Sequence, residues 1–243
     1  MILDIYKDSL EYSAKDWKTL VILGVICLFS FLLLPAFLIT GYNYRVINTA
    51  VHGIINGRDP LPGFDDPIDM FVDGVKVVIV QVLYLIVPMI IFFVFALIAG
   101  NVSGVASSAL MLIGCLITLI VGVAACLMSQ MGICHMAYND GAFSKAFALS
   151  EIKEVIDEIG WFECILTYIG LIIIVIVISV VVTALIGIIF TLFGISGAVL
   201  GADPSGVFVL GALVNTAISM FIVGPYLSIF ASRSMGLLYT MQI

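Results

Sequence analysis

Apolar residues in this chain fall into long unbroken stretches separated by short polar ones, with almost none of the strict alternation that marks half-buried strands. No Asp, Glu, Lys or Arg occurs in 19–44, 77–139, 164–202 or 204–232. Even the shortest of these stretches exceeds the roughly 20 residues that carry a helix across a bilayer. The pattern predicts an all-α, polytopic membrane helix bundle. It would have four to six membrane-embedded helices, with short amphipathic helices on the cytoplasmic face.

The segments follow in order. Residues 1–18 read as an N-terminal cytoplasmic segment, with Ile2, Ile5, Tyr6 and Leu10 on one side of a short helix. Residues 19–56 are a kinked or re-entrant first membrane segment, interrupted at Pro35 and stopped at Asn56-Gly57. An acidic cytoplasmic elbow occupies 57–76. A first helical hairpin covers 77–137, kinked at Pro88 and turned by a Gly/Ser-rich stretch at 100–107. Residues 138–160 form a cytoplasmic amphipathic segment with Ser150 as N-cap and Ile152, Val155, Ile156 and Ile159 at helical spacing. A second hairpin covers 161–232, and its first helix is expected to tilt or break near Gly187 or Gly194 because its apolar run overshoots the bilayer. Residues 233–243 are a tail.

Composition agrees with the pattern. Hydrophobic residues make up 63% of the 243 and charged residues only 10%, against about a quarter charged in a soluble domain. The cell membrane is the expected location and membrane lipids the first partners. A net charge of −7 argues against nucleic acid. Cys27, Cys115, Cys126, Cys134 and Cys164 form no CxxC and read as packing residues. None of the 9 Lys and Arg residues lies in a Gly/Ser turn, so the positive-inside rule puts the charged loops in the cytoplasm. A single crossing by 19–56 would split the basic residues between the two sides. A re-entrant form keeps all of them on one side and is favoured.

Between helices in lipid, small residues and polar contacts drive association. Gly114, Thr118, Gly122 and Cys126 recur every fourth position on one helix, Ser179, Thr183, Gly187 and Thr191 on a second, and Gly211, Asn215 and Ser219 on a third. These three stripes are expected to face one another. Gln81 and Asn215 are the strongest polar groups at depth, and neither ionises.

The elbow concentrates the candidate chemistry. Asp65, Asp66, Asp69 and Asp73 have the form DDxxDxxxD. On a continuous helix these carboxylates would gather on one side and hold Mg²⁺, which would bind a diphosphate. Intramembrane prenyltransferases carry a motif of similar form, yet a second acidic motif and basic groups for the phosphates are sparse here, with only Arg45, Arg58 and Lys76 nearby. The competing reading makes Asp66 an N-cap and Pro67 the first helical residue, with Asp69 on the positive helix end; no metal or cofactor is then expected. His52 and His135 read as interfacial polar residues without the spacing of a zinc site.

The run GYNYRVINTAVHGIINGRDPLPGFDDPIDMFVDGVK resembles the signature of an uncharacterised, largely archaeal family of prokaryotic membrane proteins, domain-of-unknown-function family 4013. The likeness rests on Gly41-Tyr42, Arg45, Leu61-Pro62, Phe64-Asp65-Asp66 and Phe71 to Lys76. Members often carry Glu where Asp69 stands. The resemblance implies a polytopic membrane protein and supplies no activity. No GxSxG, HExxH or phosphate loop is present. Three classes of function remain, and oligomeric state stays open. The leading one is a non-enzymatic scaffold or accessory membrane subunit, with a protein partner at the acidic cytoplasmic face of 150–160. The alternatives are a small transporter or channel component, and a Mg²⁺-dependent lipid or diphosphate enzyme.

Overall fold

The computed structural model describes residues 2–32, 34–57, 59–199 and 203–242. Arg58, counted above among the basic residues of the elbow, lies outside them. All regular structure among the described residues is helical: α1 (Ile2–Ser13), α2 (Trp17–Leu28), α3 (Leu34–Val51), α4 (Pro67–Gly100), α5 (Val105–Tyr138), α6 (Leu149–Ile159), α7 (Trp161–Val199), α8 (Ser205–Ile218) and α9 (Gly224–Tyr239). A π-helical turn, Ser219–Val223, joins α8 to α9 in one continuous rod. Lipid offers backbone amides no partner, so even the Ile- and Val-rich α7 is helical, since a helix satisfies them internally.

Four of these elements, α4, α5, α7 and the α8–α9 rod, are long and apolar enough to cross a membrane. They form two hairpins, α4–α5 and α7 with α8–α9. Within their most apolar windows only 6–11% of residues are buried by the rest of the chain. The packed core lies at the other end of the molecule, where the charges are. There Tyr6, Tyr44, Ile47, Met131, Met136, Ile152, Ile156, Phe230 and Leu238, from α1, α3, α5, α6 and α9, belong to one buried cluster. The apolar side of α6 (Ile152, Val155, Ile156, Ile159) is buried in that core, while Lys153, Glu154, Asp157 and Glu158 stay exposed.

Segment 17–56 folds as a pair, α2 and α3, whose two ends lie together. Lys15 Nζ donates to the Asp59 carbonyl at 2.9 Å, and Tyr12 Oη to the Pro60 carbonyl at 2.9 Å. At the far end of α2, Gly24 packs against Phe221 of the π-helical turn. The return helix α3 crosses α4 at unusually short range. A Cβ on Gly41 would stand 1.8 Å from the Met70 carbonyl oxygen, and one on Gly74 would stand 1.8 Å from the Phe37 carbonyl oxygen. Only glycine fits on either side of this crossing.

Several local expectations are corrected. Helix α3 ends at Val51, not at Asn56, which sits in a left-handed turn at φ 62°. Ser150 lies inside α6, and Ala148 stands at the N-cap position. Helix α7 runs unbroken through Gly187 and Gly194, because isolated glycines do not break a helix that has no water to compete for its amides. At 1.5 Å per residue it is about 58 Å long, so it tilts or projects beyond the hydrocarbon.

The small-residue stripes do not meet at one point. Gly114 faces Phe95 of α4, and Thr118 and Gly122 line a groove with Pro88 and Met89 of the same helix. Cys126, further along, lies against Tyr168 of α7. The other two stripes share an interface: Thr183, Gly187 and Thr191 line a small cavity with Gly211 and Asn215. Ser179 bonds its own helix through the Val175 carbonyl, and the carbonyl of Ser219 accepts the Gly224 amide in the π-helical turn. Short loops pair each helix with its sequence neighbour first, and that local pairing takes up the α5 stripe against α4 and the other two against each other.

The crossing gives a direct prediction. Gly41→Ala or Gly74→Ala should destabilise the protein by about 1–3 kcal/mol or more, as overpacking does, measured by denaturant unfolding in detergent micelles. Gly187→Ala meets nothing within 4 Å and should stay within about 0.5 kcal/mol of the parent. Equal effects at the three sites would show that the crossing is not close.

Candidate functional site: a neutral polar cavity above a charged base

The elbow is built around Arg45 of α3. Its Nη1 donates to the carbonyls of Gly63 and Asp65, and its Nη2 to the carbonyl of Asp66 at 3.0 Å. Tyr42 stacks on Phe64 with ring centroids 4.8 Å apart, which holds the turn to α3. Asp66 occupies the N-cap position of α4 in a left-handed conformation (φ 51°), and its side chain makes no capping bond. The expected cap is therefore absent. The backbone carbonyl of Asp66 instead serves Arg45 and the Met70 amide. Asp69 lies in the first turn, at the positive helix end.

This left-handed residue also dissolves the metal motif. Gathering DDxxDxxxD on one side requires helix through the whole run, whereas α4 begins at Pro67. Asp65, Asp66 and Asp69 are exposed, and Asp73 pairs with Lys76 at 3.2 Å. Among the described residues no three His, Cys, Asp or Glu side chains are placed to share an ion. As placed, the four aspartates are not gathered on one side of α4.

Two buried polar clusters that sequence reading missed hold the base together. Arg233 of α9 is fully buried. Its Nε donates to Asp8 Oδ1 at 3.1 Å and its Nη2 to Asp59 Oδ2 at 2.8 Å. The guanidinium lies over the Tyr12 ring at 4.4 Å. The other oxygen of Asp8 accepts the Asn56 amide. One cation thus ties α1, the loop after α3 and α9. Burial, the larger influence, pushes the Tyr12 phenol up to about 12, against the lowering effect of Arg233.

His135 of α5 is the second centre. The expectation of an interfacial polar histidine is overturned: its side chain is 8% exposed. Nδ1 lies 2.6 Å from Tyr239 Oη and Nε2 lies 3.0 Å from Glu151 Oε2. Lys145 Nζ donates to both oxygens of Glu151, at 2.9 and 2.7 Å. Lys145 first, and His135 second, hold the Glu151 carboxyl below its ordinary value. His52 is exposed and stacks on Tyr138, ring centroids 5.9 Å apart.

Above this base, where the two hairpins meet α3, lies a cavity of about 350 Å³. Thr40, Asn43 and Tyr44 reach it from α3, Gln81 from α4, Gln130 from α5, Tyr168 from α7, and Ser228 and Ser232 from α9. Val77, Ile133, Leu171 and Met235 supply apolar wall. No charged side chain lines it. Asn43 Oδ1 and Tyr44 Oη are buried without a protein partner. The cavity can therefore accept and donate hydrogen bonds while offering an ion no counter-charge. Gln81 was legible as a deep polar residue; Gln130 sits in the same hydropathy pattern and drew no separate signal.

Four span-length apolar helices on one packed base define a polytopic α-helical membrane protein. The chain belongs to the family described as Protein of unknown function (DUF4013), which matches residues 28–191. No curated protein and no solved structure matches the chain. The matched range holds Arg45, the elbow, the α3–α4 crossing, Gln81 and Gln130.

Two predictions follow from the base. Arg233→Leu strands Asp8 and Asp59 and should cost about 3–5 kcal/mol in denaturant unfolding in micelles. Lys7→Ala removes an exposed 4.0 Å pair with Glu11 and should cost less than about 1 kcal/mol. The pH dependence has a definite sign. Because the folded state holds Glu151 below its ordinary 4.5, its contribution is present above pH 4.5 and is lost as pH falls through the folded value. A pH titration of Tm should lose part of its acid limb in Glu151→Gln.

Proposed function

We propose that the protein binds a small, uncharged, hydrogen-bonding solute in the cavity between its hairpins and passes it across the membrane, as a small transporter or channel component. The observation that carries this reading is the lining: eight side chains with hydrogen-bonding groups from α3, α4, α5, α7 and α9, and no charge. A purely structural junction between apolar hairpins would be filled by apolar side chains, since each unsatisfied polar group in a membrane costs several kcal/mol. Two further features support it. The π-helical turn Ser219–Val223 lies one helical turn and a half before Ser228, and such turns concentrate at functional sites. Beyond it, Thr183, Thr191 and the unpartnered Asn215 Oδ1 line a second small cavity between α7 and α8. Polar stations thus continue along the same hairpin toward its far end.

The scaffold reading rests on the exposed Glu154, Asp157 and Glu158 of α6. The apolar side of α6 is used inside the chain, which leaves that face charge without the apolar anchor that dominates docking energetics. The Mg²⁺-enzyme reading needs the four aspartates on one continuous helix, and the start of α4 at Pro67 does not support it.

The test is solute flux into proteoliposomes, followed by light scattering with glycerol, urea and glucose as separate probes. At least one probe should enter faster than into protein-free vesicles. Gln81→Leu and Gln130→Leu should each slow that flux about fivefold, the worth of one hydrogen bond near 1 kcal/mol. No protein-dependent flux with any of the three would overturn the reading.

A further inference from the structure

A second concavity of about 290 Å³ opens on the charged face beside the elbow. Arg45, Asn48 and Thr49 of α3 line it together with Gly63, Asp65 and Asp73. It differs from the inner cavity in carrying both signs of charge. The two spaces have one residue in common, Tyr44.

Tyr44 is only 3% exposed, and its hydroxyl has no protein partner. That hydroxyl stands 3.5 Å from where a Cβ on Gly141 would be, and Gly141 holds φ at +75°, a conformation that favours glycine. The loop after α5 thus leaves space where the phenol ends. A buried tyrosine held only for packing would be expected to bond its hydroxyl, because an unpaired one costs roughly 1–3 kcal/mol. Tyr6, Tyr12 and Tyr84 in the same base all do so, through the carbonyls of Thr167, Pro60 and Ala146. Tyr44 and Tyr42 both leave the hydroxyl unbonded, and of the two only Tyr44 lines both spaces.

We infer that Tyr44 is the barrier between a charged outer vestibule and the neutral inner cavity, and that solute passes by displacement of its ring. This rests on the cavity being a solute site. The vestibule admits polar solutes of either charge, and the ring, backed by an uncharged chamber, passes only neutral ones. The unbonded hydroxyl is what allows the ring to move, since no hydrogen bond must break first.

Thiol labelling tests this separately from flux. The full chain, with Cys27, Cys115 and Cys126 replaced by alanine, carries one reporter cysteine at Gln81 inside or at Asn48 outside. A negatively charged methanethiosulfonate is added on the charged-loop side. With Tyr44 present, Asn48→Cys should label quickly and Gln81→Cys slowly. Tyr44→Ala should speed labelling at Gln81→Cys by about tenfold, as access to the thiol controls its reaction, and leave Asn48→Cys unchanged. Labelling at Gln81→Cys that is fast with Tyr44 in place, or no faster in Tyr44→Ala, overturns the barrier. If Tyr44→Ala fails to fold, seen as labelling of the buried Cys134, Tyr44→Leu carries the same expectation and the same refutation. Solute flux lost in Gln81→Leu alongside an unchanged labelling rate would leave the solute site standing and remove only the gate. Faster labelling in Tyr44→Ala with no flux of any probe would do the reverse.

Discussion

A guanidinium with no exposed surface, shared between Asp8 and Asp59, is the constraint on which the rest of this molecule depends. The reason lies in the solvent. Lipid tails are as apolar as leucine, so burying a leucine of one hairpin against another gains little that lipid does not already provide. The hydrophobic effect cannot tell the hairpins where to stand. Arg233 can, because its charge is tolerable in that place only while both carboxylates are present. Meeting that condition brings α1, the loop after α3 and α9 together, and each brings its neighbours. The Gly41–Gly74 crossing then fixes α4 against α3 at backbone range. Desolvation of the three ions opposes the arrangement, so its net stabilisation is modest; its consequence is geometric specificity.

The unequal distribution of packing follows. Large side chains are buried around the charged end, and few residues along the apolar lengths of the four spans are fully buried. Within a hairpin, a short loop and a small-residue stripe keep the two helices adjacent. Between hairpins, α5 meets α7 near Cys126 and Tyr168, and α3 and α9 supply the rest of the junction. The polar cavity occupies that junction, where α3, α4, α5, α7 and α9 converge. Local openings occur where apolar contacts are sparse, and here they are sparse between the hairpins, beside the cavity.

How much of this was legible in the sequence depends on the range of each interaction. Charge-free lengths sufficed for the membrane class and the four spans, because a bilayer imposes a length on any uncharged helix. The apolar side of α6 was readable from its spacing for the same local reason. Asp8 and Arg233, 225 positions apart, gave no local sign of pairing. His135 looked interfacial because its partners Glu151 and Tyr239 arrive from elsewhere in the chain. The aspartate spacing presumes one continuous helix, whereas Asp66 stands in a left-handed turn while Arg45 reaches three carbonyls from α3. Of the three stripes expected to meet, those of α7 and α8 share an interface while that of α5 lies against α4, since composition shows that a helix can be approached closely but not by which helix.

The chemistry of the cavity and the chemistry of the base are two answers to one problem. A polar group at the edge of a membrane must be satisfied, and a charge must be satisfied more completely than a neutral group. In the base, ion pairs hold the charges together, with Arg233 Nε on Asp8 and Nη2 on Asp59 while Nη1 has no partner. In the cavity, the groups are amides and hydroxyls, whose desolvation is small enough that Asn43 and Tyr44 stand without protein partners. A site lined with charge would have needed a counter-ion inside the chain and would have become a second clasp. Neutral lining leaves hydrogen-bonding capacity open to something that is not the protein. That difference, more than volume or depth, separates the part of this molecule that holds it together from the part free to engage a solute.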